Sequence, residues 1–145
     1  MDEIGQLRIY VSEQHFPIYH TLGKTLFTQN SEFFLLCVLI GRQIPKRIDV
    51  PKKQELCRAI TLSEHDWISL RSLYYLENGE LGMYKQLTQL AEQCAYAGLS
   101  HLIKEEMQDM VIQKEDESYH LNENLMELQL LITEYVLKQK EEVPF

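Results

Sequence analysis

The stretch Phe33-Phe34-Leu35-Leu36-Cys37-Val38-Leu39-Ile40, which ends at Gly41, decides the fold of this 145-residue chain. A helix that is apolar on nearly every side belongs at the centre of a domain, because it has no face that suits solvent. Glu32 lies in its first turn, where the helix dipole favours a carboxylate. We therefore predict a buried central helix over residues 32–40, with Gly41 in the left-handed conformation that commonly ends a helix.

Residues 61–79 carry the start and stop signals of an amphipathic helix. A capping box fits two registers, Thr61-x-x-Glu64 and Ser63-x-x-Asp66. Asn78-Gly79 provides a stop signal. We expect this helix to bury Trp67.

Apolar spacing predicts helices along most of the remaining chain. The start is ambiguous, since residues 4–11 fit either a helix or a short strand. Further helices are predicted over residues 17–27, 52–59, 84–95, 99–110 and 121–138. Gly98 separates the helix over 84–95 from the one over 99–110, and residues 43–51 form an extended connector. The predicted fold is all-α, a single domain over residues 1–145 with five to seven helices and one basic connector loop.

The last predicted helix has an apolar stripe with two interpretations. Its large apolar residues recur at spacings of four and three: Leu121, Leu125, Leu128, Ile132 and Tyr135. The stripe can dock on the domain, or it can pair with a second copy, because the spacing is also that of a short coiled coil. The sequence leaves both a monomer and a homodimer open, and we expect docking.

Composition places the chain among ordinary globular proteins. Apolar residues make up 45% and charged residues 25% of it. The longest apolar run is far shorter than the roughly 20 residues that span a bilayer, and the first residues carry no secretory signal. We expect a cytoplasmic protein without membrane contact, whose Cys37, Cys57 and Cys94 are reduced structural thiols.

Motifs that mark catalysis are missing from the chain. It contains no G-x-S-x-G, H-E-x-x-H, G-x-x-x-x-G-K-[ST] or G-x-G-x-x-G. His101 and Glu105, four residues apart on one helix face, could share a metal, but two ligands are a weak fragment and a solvated or capping pair explains them better. We expect a protein that is not an enzyme, with no catalytic residue, cofactor or metal site.

One part of this acidic chain is basic. Its net charge is −8, yet residues 41–58 sum to +4. The cations of this basic segment are Arg42, Lys46, Arg47, Lys52, Lys53 and Arg58. They either form a solvated connector that balances acidic neighbours, or they bind an acidic protein surface or a phosphate backbone. The overall charge argues against a free-standing nucleic-acid binder, which draws most of its affinity from phosphate neutralisation.

The middle of the chain resembles the small proteins associated with DNA phosphorothioation (Dnd-type) modification and restriction systems. The resemblance rests on Phe27-Thr28, on Leu39-Ile40-Gly41-Arg42-x-x-Pro45, on Asp66-Trp67, and on Leu90-Ala91-Glu92-x-x-Ala95-Tyr96-Ala97-Gly98-Leu99 followed by Leu102. It covers roughly half of the chain, as a pattern of helix ends and core residues. The longer basic connector and the acidic C-terminal helix depart from it.

The resemblance implies an accessory component of a prokaryotic defence system against foreign DNA, and it carries over no active-site residue. Together with the missing catalytic motifs, it predicts a binding or assembly component that acts through contacts with a protein partner. The alternative is an accessory protein that contacts nucleic acid through the basic segment.

Overall fold

The described part of the chain forms α-helices and two short antiparallel sheets. The computed structural model describes residues 3–25, 30–44, 48–122 and 125–142, and the statements below concern these residues. The elements in chain order are α1 (Glu3–Gln6), β1 (Arg8–Ser12), α2 (Phe16–Thr25), α3 (Asn30–Gly41), β2 (Lys53–Arg58), a 3-10 turn (Ala59–Thr61), α4 (Glu64–Asn78), α5 (Tyr84–Glu105), β3 (Val111–Gln113), β4 (Tyr119–Leu121) and α6 (Leu125–Glu142).

The predicted all-α class is wrong, because the described residues also form two two-stranded sheets, β1–β2 and β3–β4. The helix predicted over residues 52–59 is instead strand β2, which pairs antiparallel with β1 from Arg8↔Arg58 to Ser12↔Lys53. A bulge leaves Leu56 without a partner in this register, and its side chain is buried. The partner strand lies far upstream, so local spacing in residues 52–59 could not reveal the pairing.

Helix α3 is buried as predicted, with Phe33, Phe34 and Cys37 fully enclosed. It packs mainly against α5 and α2. The conformation predicted for Gly41 is wrong: Gly41 is the last residue of α3, and its φ is not positive. It is needed there for close packing, since a Cβ at this position would overlap the backbone of Cys94 on α5.

Helix α4 begins and ends at its predicted signals. Ser63 and Asp66 form the capping box, and Gly79 ends the helix with a φ of 76°. Trp67 is only partly buried, against the prediction, and contacts the Tyr84 ring edge-on at 5.0 Å between centroids. The helix touches the rest of the protein chiefly through α5.

The last third of the chain differs most from the prediction. Helix α5 runs without a break through Gly98 and ends at Glu105, before the predicted end at residue 110. Residues 111–121, predicted as a joint and the start of the last helix, form a hairpin. Helix α6 begins at Leu125, and its Leu128 and Ile132 are buried in the core, as the docking interpretation expects. Within the described ranges, no helix has both the length and the apolar character that a membrane span requires.

Candidate functional site

The basic segment is the first candidate, and two of its cations, Lys46 and Arg47, lie outside the described residues. Arg42 directly follows α3 and is half-buried, with contacts of its own. Lys52 is exposed at the bend before β2, where its φ is 42°. Arg42 and Lys52 therefore lie in different places, one just after α3 and the other just before β2.

Both cations on β2 are engaged within the protein. The Nζ of Lys53 lies 2.9 Å from Oε1 of Glu92, a carboxylate on α5 that is only 5% exposed. Arg58 donates a hydrogen bond of 3.2 Å to the carbonyl of Gly5. These two residues lie at opposite ends of the strand, which sets them roughly 17 Å apart at about 3.3 Å per residue. Lys53 and Arg58 therefore lie apart on β2, each with a partner within the protein.

Glu92 is a structural residue that sequence reasoning did not single out. Its Oε2 accepts a hydrogen bond of 3.0 Å from the backbone N–H of Tyr10, so the carboxylate joins α5 to both strands of the first sheet. A signal was present, because Glu92 shares one buried helix face with Thr88, Ala95 and Leu99. A lone carboxylate on such a face requires buried partners.

A cleft of about 510 Å³ lies between the β1–α2 turn, the start of β2 and the β3–β4 hairpin. In it, Oγ of Ser118 lies 2.6 Å from Oδ1 of Asp116 and 2.9 Å from Nε2 of His120. Hydrogen bonds from Ser118 lower the pKa of Asp116. The hydroxyl has one proton and gives it to the carboxylate, so His120 is not placed to activate Ser118 as a nucleophile.

A second cleft, of about 360 Å³, is bordered by His15, which is 2% exposed. Its ring stacks on Tyr96 at 5.1 Å and lies 5.9 Å from the ring of Tyr119. Burial lowers the pKa of His15 to about 4, which keeps the ring neutral near pH 7.

The residues considered for a metal are not gathered into a site. His101 is half-buried and Glu105 is exposed, both in the last two turns of α5. In the part of the chain that the structure describes, no group of three or more His, Cys, Asp or Glu residues could hold a metal ion.

Helix α4 presents an uncovered surface that sequence analysis did not identify. Successive residues of an α-helix are turned by about 100°, so one side of α4 consists of His65, Ile68, Ser69, Ser72, Tyr75 and Leu76. Ile68, Tyr75 and Leu76 are 60%, 52% and 76% exposed. No Asp, Glu, Lys or Arg lies on this surface, which we name the α4 face.

Helix α6 also exposes apolar side chains. Met126, Leu130 and Leu137 lie on the side opposite the docked Leu128 and Ile132. These exposed residues are distinct from the stripe that sequence analysis identified.

Models of protein families, curated protein sequences and solved structures gave no match to this chain. No family is assigned. The resemblance to Dnd-associated proteins stays a prediction.

Proposed function

We propose that this protein is a non-enzymatic binding or assembly component, and that it contacts another protein through the α4 face. The observation that carries the proposal is the exposure of Ile68, Tyr75 and Leu76 on a helix side without charged residues. The exposed side of a helix on a soluble domain is ordinarily rich in charged and polar residues. A contiguous apolar surface is typical of interaction sites.

The basic segment gives less support to the alternative, contact with nucleic acid. Lys53 and Arg58 already bond to Glu92 and to the Gly5 carbonyl. Freeing Lys53 for a phosphate would leave a buried carboxylate without its cation, which is unfavourable. A role as accessory factor of a prokaryotic DNA-modification or defence system is part of the proposal, and it rests on the sequence resemblance.

Affinity capture with matched variants tests the proposal. Tagged wild-type protein, Ile68→Gln/Leu76→Gln and a control, Ile112→Gln, would be incubated with nuclease-treated lysate of the organism that encodes the chain. Ile112 is an exposed apolar residue on a different element, β3. We expect proteins that the wild type and the control retain and the α4 variant loses, with unchanged circular dichroism.

Two results would overturn the proposal. One is the same set of captured proteins with all three forms of the protein. The other is hydrolytic activity of the purified wild type that persists in the α4 variant.

A further inference from the structure

We infer that the α4 face receives a cationic amphipathic helix from its partner. The inference rests on the proposed function and specifies the chemistry of the partner. It follows from the shape of the α4 face and from the charges that surround it.

The shape of the α4 face suits a helix. Ile68, Ser72 and Leu76 form one i, i+4 row along α4, and such rows interlock with the rows of a facing helix. Ser72 is the small member of this row, between the larger Ile68 and Leu76. The α4 face runs from His65 to Leu76, so it extends over about 17 Å at 1.5 Å per residue. This length accommodates about three turns of a partner helix laid on it.

The stretch of chain that contains α4 is predominantly acidic. Residues 60–83 contain four carboxylates and one Lys or Arg, Arg71. Arg71 points away from the face, with its guanidinium 5.1 Å from the centre of the Tyr84 ring on α5. Glu64 and Glu80, at the two ends of the helix, are both exposed. Lys and Arg beside the partner's apolar stripe would complement these carboxylates, and acidic residues there would be repelled.

A second copy of the chain fits the same surface less well. An antiparallel α4–α4 contact would bring Glu64 of one copy towards the end that carries Glu80 in the other. The two chains also carry a charge of −8 each. Like charges brought together in this way oppose association.

Binding of designed peptides to the full-length protein tests the inference. The probe is a fluorescein-labelled 18-residue peptide of Leu and Lys with the apolar spacing of an amphipathic helix. A second peptide has Glu at every Lys position. Fluorescence anisotropy would be measured from low salt to physiological salt, and hydrogen exchange would locate the bound peptide.

We expect the Leu/Lys peptide to bind and to protect the amides of α4, and the Leu/Glu peptide not to bind. Ile68→Gln/Leu76→Gln should weaken binding by about tenfold or more, the equivalent of about 1.4 kcal/mol. Glu64→Gln/Glu80→Gln should weaken it less and flatten its dependence on salt. Two controls, Leu130→Gln/Leu137→Gln on α6 and Glu115→Gln/Glu117→Gln on the hairpin, should bind like the wild type.

Each contrary outcome has its own meaning. If the Leu/Lys peptide bound all variants equally, nonspecific electrostatic attraction to an acidic protein would explain the binding, and the inference would fail. Binding of the Leu/Glu peptide at the α4 face would refute the cationic partner and leave the proposed function standing. If neither peptide binds, the inference fails, and sedimentation of the wild type and the α4 variant shows whether a second copy occupies the face. A wild-type dimer that Ile68→Gln/Leu76→Gln dissociates would identify that copy as the occupant.

Discussion

Gly41 and Gly98 face each other where α3 crosses α5, and each makes room for the backbone of the other helix. A Cβ on Gly41 would lie 2.9 Å from the backbone nitrogen of Gly98, and one on Gly98 would lie 2.8 Å from that of Gly41. Each Cβ would also overlap a carbonyl, that of Cys94 or that of Cys37. The most extensive helix–helix contact among the described residues therefore requires glycine on both sides.

Replacing either glycine with alanine should destabilise the protein severely. The added methyl group meets backbone atoms, which cannot turn aside as a side chain would, so α3 and α5 must separate. We expect the free energy of unfolding of Gly41→Ala or Gly98→Ala to fall by about 3 kcal/mol or more in urea denaturation.

A third glycine provides the control for this prediction. Gly5, in α1, has nothing within 4 Å of an added Cβ. Gly5→Ala should leave stability unchanged or raise it by up to about 1 kcal/mol, because alanine has the higher helix propensity. Similar unfolding curves for Gly41→Ala and Gly5→Ala would contradict the close approach of the two helices.

The buried ion pair of Glu92 predicts an asymmetry between two carboxylates. Glu92→Ala should cost about 3 kcal/mol, because it leaves the Tyr10 N–H and Lys53 without their acceptor. Glu55 makes an exposed pair with Arg8 at 3.5 Å, and Glu55→Ala should cost less than about 1 kcal/mol. Chemical denaturation of both variants measures the difference. A loss for Glu92→Ala no larger than that for Glu55→Ala would show that this carboxylate is solvated.

His15 predicts a loss of stability in mild acid. Its pKa is about 4 in the folded protein and 6.5 ordinarily, so the unfolded chain binds the proton more readily. The contribution of His15 to the free energy of unfolding is constant above about pH 6.5. It falls as the pH drops towards 4, by about 3 kcal/mol at 1.36 kcal/mol per pKa unit. His15→Phe, which keeps the ring contacts, should remove this slope from denaturation curves recorded between pH 4 and 7. An unchanged slope would assign the acid sensitivity to other groups.

The three thiols should differ in reactivity. Cys37 and Cys94 are fully buried, and burial raises the pKa of Cys37 to about 12. Cys57 is only partly buried, although its pKa is raised as well, mainly by burial. Because the thiolate is the reactive form, alkylation of the native protein at pH 8 should be slow and confined to Cys57. Mass spectrometry after peptide digestion reads the site. Rapid labelling of Cys37 would mean that α3 opens readily.

Sequence patterns predicted those features whose causes are local. The burial of α3 follows from its composition, and the ends of α4 follow from Ser63, Asp66 and Gly79, which act within a single turn. Gly98 misled the prediction, because a glycine that ends a helix and one that admits a neighbouring backbone look alike in sequence. Only the position of α3 distinguishes the two.

The sheets and the surface near the basic segment depend on residues far apart in the chain. The sequence of residues 52–59 does not predict that Cys57 pairs with Ile9, or that Lys53 forms an ion pair with Glu92. The α4 face was missed for another reason. Sequence spacing finds the apolar side of a helix, but it does not reveal that Ile68, Tyr75 and Leu76 lack a neighbouring element to cover them.

The hydrogen bond from Tyr10 to Glu92 also affects how the chain folds while it is being synthesised. Tyr10 is synthesised early. The strand β2 that pairs with it and the Glu92 carboxylate that accepts its hydrogen bond are synthesised much later. Until then, the N–H of Tyr10 is an unpaired group on a strand, and such groups can form hydrogen bonds with strands of other chains. A nascent chain that stops before α5 is thus left with an unpaired strand edge prone to aggregation, and the completed helix supplies the acceptor that pairs it.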